Sequence, residues 1–238
     1  MGVLKDMVKV TYDKLASTYK ENLDVANPYN SYYERPAMME MIPKNLEGKN
    51  ILDAGCAAGW YTSRFVERGA NVTAIDVSSE MVKYAKESTG NKATFLCHDL
   101  QEVLPFEDNT FDVIVSSLTL HYLENWNRVF QEFHRVLKPG GEIIYSIHHP
   151  FMDFTKFTSK NYFEKQLLVD TWVKPNITIE VSFFRRSLQD VINETTNCFV
   201  IEKMVEPRPV EKMREVNEKS YHYLNTNPHF LIMKAIKK

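Results

Sequence analysis

An open α/β sheet, mostly parallel and covered by helices on both faces, is the fold class that these 238 residues predict. Three observations predict it. Short apolar runs alternate with amphipathic stretches from Asn50 to Ile147, the rhythm of strands joined by helical crossovers. The run Ile51-Leu52-Asp53-Ala54-Gly55-Cys56-Ala57-Ala58-Gly59 carries a strand into a small-residue loop at the head of a helix. The chain then closes on two apolar strands joined by a modest non-helical connection, which pair most simply as antiparallel neighbours.

The elements follow in order. Leu4, Val8, Tyr12, Leu15 and Tyr19 recur at helical spacing, Asn27-Pro28-Tyr29-Asn30 interrupts, and a second helical stretch runs from Tyr32 to Ile42. Together they form a cap outside the sheet. Strands are then expected at 51–54, 71–75, 93–97, 111–116 and 142–147, with helices at 59–68, 79–88 and 125–137. Ser78 is an N-cap with Glu80 in the first turn, Gly90 ends that helix, and Lys138-Pro139-Gly140-Gly141 stops the next one abruptly. After Pro150 comes an aromatic-rich, weakly periodic segment reaching about Phe184, which reads as an insertion over the ligand edge of the sheet. A helix at Ser187–Thr196, a strand at Cys198–Val205, a charged loop with Pro207 and Pro209, and a strand at Phe230–Ile236 complete the chain.

Length and composition set bounds. The chain suits one well-buried domain over 1–238, divided into a helical cap (1–45), a core (46–149), an inserted lid (150–185) and the rest of the core (186–238). A net charge of −2 and a pI near 6.4 supply no basic field for gathering polyanions, which disfavours nucleic acid and anionic membrane as partners. The N-terminal residues lack a secretory apolar run and no stretch is long enough to span a bilayer, so a soluble cytoplasmic protein is expected. Cys56, Cys97 and Cys198 stand at no metal-ligand spacing and read as small core residues; no metal is expected.

The small-residue loop lets a ligand lie against bare backbone at a helix N-terminus. By itself such a loop also serves as a tight turn. Its significance comes from Ala70-Asn71-Val72-Thr73-Ala74-Ile75-Asp76, a second strand that ends in a carboxylate 21 residues beyond Gly55, as in nucleoside-binding α/β folds. The pair points to a cofactor containing adenosine.

Five ordered landmarks carry a family resemblance: Leu52 to Gly59, Ile75-Asp76-Val77-Ser78-Ser79-Glu80-Met81, His98-Asp99-Leu100 with Leu104-Pro105-Phe106, Phe111 to Ser117 with His121, and Leu137-Lys138-Pro139-Gly140-Gly141. With them the chain resembles the class I S-adenosylmethionine-dependent methyltransferases, of the broad methyltransferase type 11 kind. Tyr12 to Tyr19 is similar to the helix these enzymes place over the cofactor. The resemblance implies a Rossmann-like, seven-stranded sheet with an antiparallel last strand, S-adenosyl-L-methionine as cofactor and S-adenosyl-L-homocysteine as product. In one respect the chain departs from the pattern, with Ala57 where a central glycine is usual; alanine fits if the backbone there keeps a negative φ.

The resemblance also implies roles. Gly55, Ala57 and Gly59 bring backbone close to the sugar and the methionine portion, and Asp53 orients the amino-acid end. Asp76 takes the ribose hydroxyls, Asp99 the adenine amino group, Met81 or Leu100 flanks the ring, and Ser116 offers its carbonyl to the methionine amine. His121, His148 and His149 stand where an acceptor would bind, with Tyr19 on the cap side; His121 and His149 are the candidate proton acceptors, though a structural role competes for each. Tyr29, Tyr32, Tyr33, Phe151, Phe154 and Trp172 either line the acceptor cavity or pack the lid. Arg185-Arg186 earns no site assignment. The expected reaction is methyl transfer to a small-molecule acceptor. Competing readings are an RNA or protein acceptor, a cofactor-binding protein without turnover, and an NAD-dependent oxidoreductase, whose Gly-x-Gly-x-x-Gly spacing the loop lacks.

Overall fold

The computed structural model describes residues 8–16, 27–90, 92–157, 161–174 and 177–238. Seven strands form the main sheet: β1 (Asn50–Ala54), β2 (Asn71–Asp76), β3 (Thr94–Cys97), β4 (Phe111–Ser117), β5 (Leu137–His148), β8 (Val200–Val205) and β9 (Phe230–Ile236). Their order is β3-β2-β1-β4-β5-β9-β8. The first five run parallel, and β9 lies antiparallel to both β5 and β8. The order reverses between β1 and β4, where an open α/β sheet leaves a crevice beyond its strand ends.

Alternation along the strands explains the two-sided core. Leu52, Ile143 and Tyr145 pack with Phe130 and Phe133 of α5 (Trp126–Val136) and Val191 of α7 (Leu188–Thr196). Their neighbours Ile51 and Ile144 face the other way, onto Phe65 of α3 (Trp60–Glu67) and Met38 and Met41 of α2 (Arg35–Met41). Both faces are dry, so the strands read as apolar runs. Trp126, Val129, Phe130, Phe133 and Val136 supply the buried stripe of α5 at helical spacing.

Local signals act as expected in several places. The Ser78 hydroxyl accepts the Met81 N–H at 3.1 Å at the start of α4 (Ser79–Thr89), and Gly90 closes that helix at φ +62°. Ser187 and Asp190 form a reciprocal capping box on α7.

The structure corrects other expectations. Leu137 already turns extended after α5, so β5 begins there and Lys138-Pro139-Gly140-Gly141 lies within the strand. The inserted segment is ordered as α6 (Pro150–Lys156) and a hairpin of β6 (Gln166–Lys174) with β7 (Ile177–Arg185). The supposed loop before β9 holds α8 (Lys212–Val216) and α9 (Glu218–Thr226). In the cap, residues 8–16 form α1, and Asn30–Glu34 is a π-helical turn leading into α2. Leu4 and Tyr19 of the expected first helix lie outside the described residues. The three cysteines are free; Cys56 is buried, whereas Cys97 is exposed and Cys198 half-buried, so only the first is a core residue.

Candidate active site

A cavity of about 1370 Å³ opens over the C-terminal ends of β1, β2, β3, β4 and β5. Its floor begins at the β1 turn. The Gly55 and Cys56 N–H groups donate to the Ile75 carbonyl at 2.8 and 2.9 Å, which ties the turn to β2. A Cβ on Gly55 would stand 2.2 Å from the Thr119 hydroxyl oxygen, so glycine lets the loop after β4 come close. Ala57 adopts φ +45°, the left-handed region. The condition of a negative φ, under which alanine would fit without strain, is not met, and the alanine is held there by its N–H, which donates to Asp76 Oδ2 at 2.9 Å.

Asp76 Oδ1 accepts the Ser78 N–H at 2.9 Å, so the carboxylate is fixed by backbone on both oxygens. Burial pushes its pKa up to about 6, against the pull of those N–H groups. Asp53 lies deeper, only 1% exposed, and accepts the Thr62 hydroxyl at 2.6 Å. Burial first, and the neighbouring Asp76 charge in addition, push it up to about 7. Of these two buried acids Asp76 lines the cavity, where a positive or hydrogen-bond-donating ligand can reach it. Asp99 follows β3 and accepts the Gln101 N–H at 2.9 Å, forming a turn at the cavity wall beside Leu100.

Not every expected cofactor residue reaches the surface of the cavity. Gly55, Ala57, Asp76, Asp99 and Leu100 line it; Asp53, Gly59, Met81 and Ser116 stand behind the wall. Gly59 brings α3 against α4, since a Cβ there would sit 2.9 Å from that of Ala85. The Ser116 hydroxyl donates to the Ala54 carbonyl at 2.9 Å, and its neighbour Ser117 lines the cavity instead.

Glu34, from the π turn, was not among the sequence candidates. It is 1% exposed and accepts three hydroxyls: Tyr61 at 2.8 Å, Ser117 at 2.8 Å and Ser146 at 2.6 Å. Burial raises its pKa. Arg35 beside it stacks its guanidinium 4.3 Å over the Trp60 ring at the cavity edge.

The histidines separate. His149 caps α6: Nδ1 accepts the Phe151 N–H at 3.2 Å and Nε2 faces Glu206 at 3.0 Å. Both nitrogens are committed and the residue does not line the cavity, so the structure does not bring this candidate base to the acceptor side. His121 does line it, but burial holds its pKa well below the usual histidine range, and both ring nitrogens are sealed. Its ring stacks on that of His148, 4.1 Å between centroids. His229, also on the cavity, is pushed down to about 3 by burial. Tyr19 lies outside the described residues.

Of the expected aromatics, Tyr29 and Trp172 line the cavity, whereas Tyr33 is packed and Phe151 is 47% exposed. Arg185 and Arg186 are buried and donate to main-chain carbonyls, Arg185 to Tyr162 and Arg186 to Leu123. Arg185 braces the segment before β6, and Arg186 ties the end of β7 to the chain before α5.

Residues 52–145 match the methyltransferase domain family. An uncharacterized protein of Haemophilus influenzae is 29% identical over 237 residues, covering 89% of this chain and 91% of that one. The malonyl-[acyl-carrier protein] O-methyltransferase of Buchnera aphidicola is 38% identical over 109 residues, 45% of this chain; the chain spans only 43% of that relative's length. An S-adenosylmethionine dependent methyltransferase from Mesorhizobium loti superposes with a TM-score of 0.68 at 26% identity, covering 86% of this chain and 97% of the other.

The cavity fits the cofactor of these relatives. Beside its turn the buried Asp76 carboxylate lines the cavity with Asp53 behind it, an acidic pair that suits ribose hydroxyls and a cationic ligand and opposes a dinucleotide's pyrophosphate. The nicotinamide reading is set aside on that chemistry. With its sheet order, its β1 turn and these relatives in agreement, the chain carries a methyltransferase domain over residues 52–145 on the fold of S-adenosylmethionine-dependent methyltransferases.

Proposed function

We propose that the chain transfers a methyl group to a small molecule held beneath the β6–β7 hairpin. The observation that carries this reading is the continuity of one cavity, from Asp76 and Asp99 to His148, Trp172 and Phe183. Its volume, about 1370 Å³, exceeds the range of about 300–1,000 Å³ usual for one ligand, so two reactants have room to meet. Val8, Tyr12 and Leu15 of α1 lie along the same cavity, and Tyr12 meets Tyr122 edge-on at 5.5 Å. A space roofed by a helix and a hairpin favours a small acceptor over RNA or protein.

On this reading Asp76 would hold the ribose hydroxyls, Asp99 the adenine amino group, and Leu100 one face of the ring. Gly55 and Ala57 would lie along the sugar and methionine. Asp53, Gly59, Met81 and Ser116 would act from behind, keeping the turn and strand ends in place. The bound cofactor supplies a methyl group on a positively charged sulfur, already activated for transfer. The chain's own work is then to orient the two reactants and exclude water.

The test is methyl-labelled S-adenosylmethionine incubated with the protein and a cell extract separated into small-molecule, RNA and protein fractions. Label is expected in the small-molecule fraction. Label confined to RNA or protein overturns the reading.

A further inference from the structure

We propose that His148, oriented by Asp153, is the base that receives the proton of an O–H or N–H acceptor. The proposal rests on the reading of this cavity as the site of methyl transfer. His148 ends β5 and lines the cavity, with 13% of its side chain exposed. Its Nδ1 stands 3.5 Å from Oδ1 of Asp153, a residue of α6 whose side chain is 3% exposed. Both atoms are buried, and among the described residues neither has a hydrogen-bond partner.

A carboxylate oxygen and an imidazole nitrogen sealed away from water each carry a desolvation cost that only the other is placed to offset. A proton on Nδ1 facing Asp153 settles the tautomer and leaves the lone pair on Nε2. Nε2 is the nitrogen not sealed by protein, so that lone pair is available to the cavity. A 3.5 Å separation is long for a hydrogen bond; such contacts often tighten only once reactants are bound.

The ring is held from several sides. His121 stacks on it at 4.1 Å, Phe230 lies parallel at 5.9 Å, and Phe183 meets it edge-on at 4.6 Å. That clamp opposes rotation of the ring about its Cβ–Cγ bond and keeps Nδ1 on the side of Asp153. The other histidines near the cavity cannot serve in the same way. Both nitrogens of His149 are engaged, both of His121 are sealed, and His229 is a very weak base.

In the step itself the acceptor heteroatom forms its bond to the methyl carbon while the carbon–sulfur bond breaks, its electron pair staying on sulfur. The acceptor's proton passes to Nε2 of His148. Asp153 holds the opposite N–H and balances the imidazolium charge. Asp153 also borders the cavity, but in this scheme it is a positioning residue, acting on the acceptor's proton only through the histidine.

The test uses protein labelled with 15N-histidine and loaded with S-adenosylhomocysteine, observed through two-bond 1H–15N correlations at pH 8. His148→Gln identifies the signal. The expected spectrum has His148 protonated on Nδ1 and bare on Nε2. Asp153→Asn, whose amide can donate to Nδ1, should move the proton to Nε2. Both variants should bind S-adenosylhomocysteine within twofold of wild type, yet transfer label from methyl-labelled S-adenosylmethionine into the small-molecule extract about 10²-fold more slowly. A wild-type spectrum with the proton on Nε2 overturns the proposal, even if Asp153→Asn fails to fold. Undiminished transfer by His148→Gln overturns it as well. Failure of the wild type to bind S-adenosylhomocysteine would instead remove the reading of the cavity.

Discussion

Asp76 Oδ2 accepts the Ala57 N–H at 2.9 Å, so the carboxylate that ends β2 holds the turn that follows β1. The turn thereby keeps an alanine at φ +45°. A side chain in the left-handed region costs roughly 1–2 kcal/mol. Ala57→Gly removes that cost and adds about 0.4–1 kcal/mol of unfolded-chain entropy. The variant should melt at the wild-type temperature or up to about 4 °C higher. Gly55→Ala, at φ +87° with a Cβ aimed 2.2 Å from Thr119, should instead lose about 3 kcal/mol. Thermal unfolding of the pair checks both signs.

Cofactor binding should release protons. Asp76 sits at about 6 and Asp53 at about 7, so both are partly protonated near neutrality in the free protein. Ribose hydroxyls donating to Asp76 favour its charged form directly, and the cofactor's positive charge favours that of Asp53 through the wall it stands behind, so both values are drawn down. Affinity for S-adenosylmethionine should rise from pH 5 to about pH 7.5 and then level off, as linkage requires. Calorimetry in two buffers of different ionisation enthalpy reads the release directly at pH 6. Asp76→Asn should weaken binding and reduce the release; an unchanged proton count would separate Asp76 from the ribose.

Glu34 joins the cap to the sheet through three hydroxyls. Glu34→Ala leaves Tyr61, Ser117 and Ser146 without their shared acceptor and should cost about 3 kcal/mol, roughly 10 °C in melting temperature. Glu34→Gln keeps one acceptor oxygen and should lose less than half as much. Equal losses in the two variants would show that the side-chain volume and single acceptor oxygen kept by glutamine do not help, and that the whole carboxylate is required.

Arg185 braces the segment before β6 by donating to the carbonyls of Asn161, Tyr162 and Glu164 at 2.8, 2.7 and 2.7 Å. A lysine lacks that fork. Arg185→Lys should speed limited proteolysis between residues 157 and 166 while leaving affinity for S-adenosylhomocysteine unchanged, because Asp76 and Asp99 lie on other elements.

How much of this was legible in the chain depended on the kind of burial. β1, β2, β4 and β5 are dry on both faces and read as apolar runs, and the carboxylate at the end of β2 stood out against them. The hairpin was hidden because its alternation is inverted in places. Leu167, Val169 and Val173 point outward, 46%, 52% and 76% exposed, while Asp170 turns toward the cavity. No apolar-in, polar-out pattern survives that arrangement. Glu34 was illegible for another reason: its three partners come from α3, β4 and β5, and only the fold brings them together. The choice between His148 and His149 did carry a signal. His149 precedes Pro150 at the first helical position, which makes it an N-cap whose side chain turns back on its own helix.

The measurement that bears most directly on the whole account is a crystal structure of the protein with S-adenosylhomocysteine. The account predicts the nucleoside across the ends of β1, β2 and β3, with both ribose hydroxyls on Asp76 and the adenine amino group on Asp99. A nucleoside bound elsewhere, with Asp76 touching only Ala57 and Ser78, would contradict it.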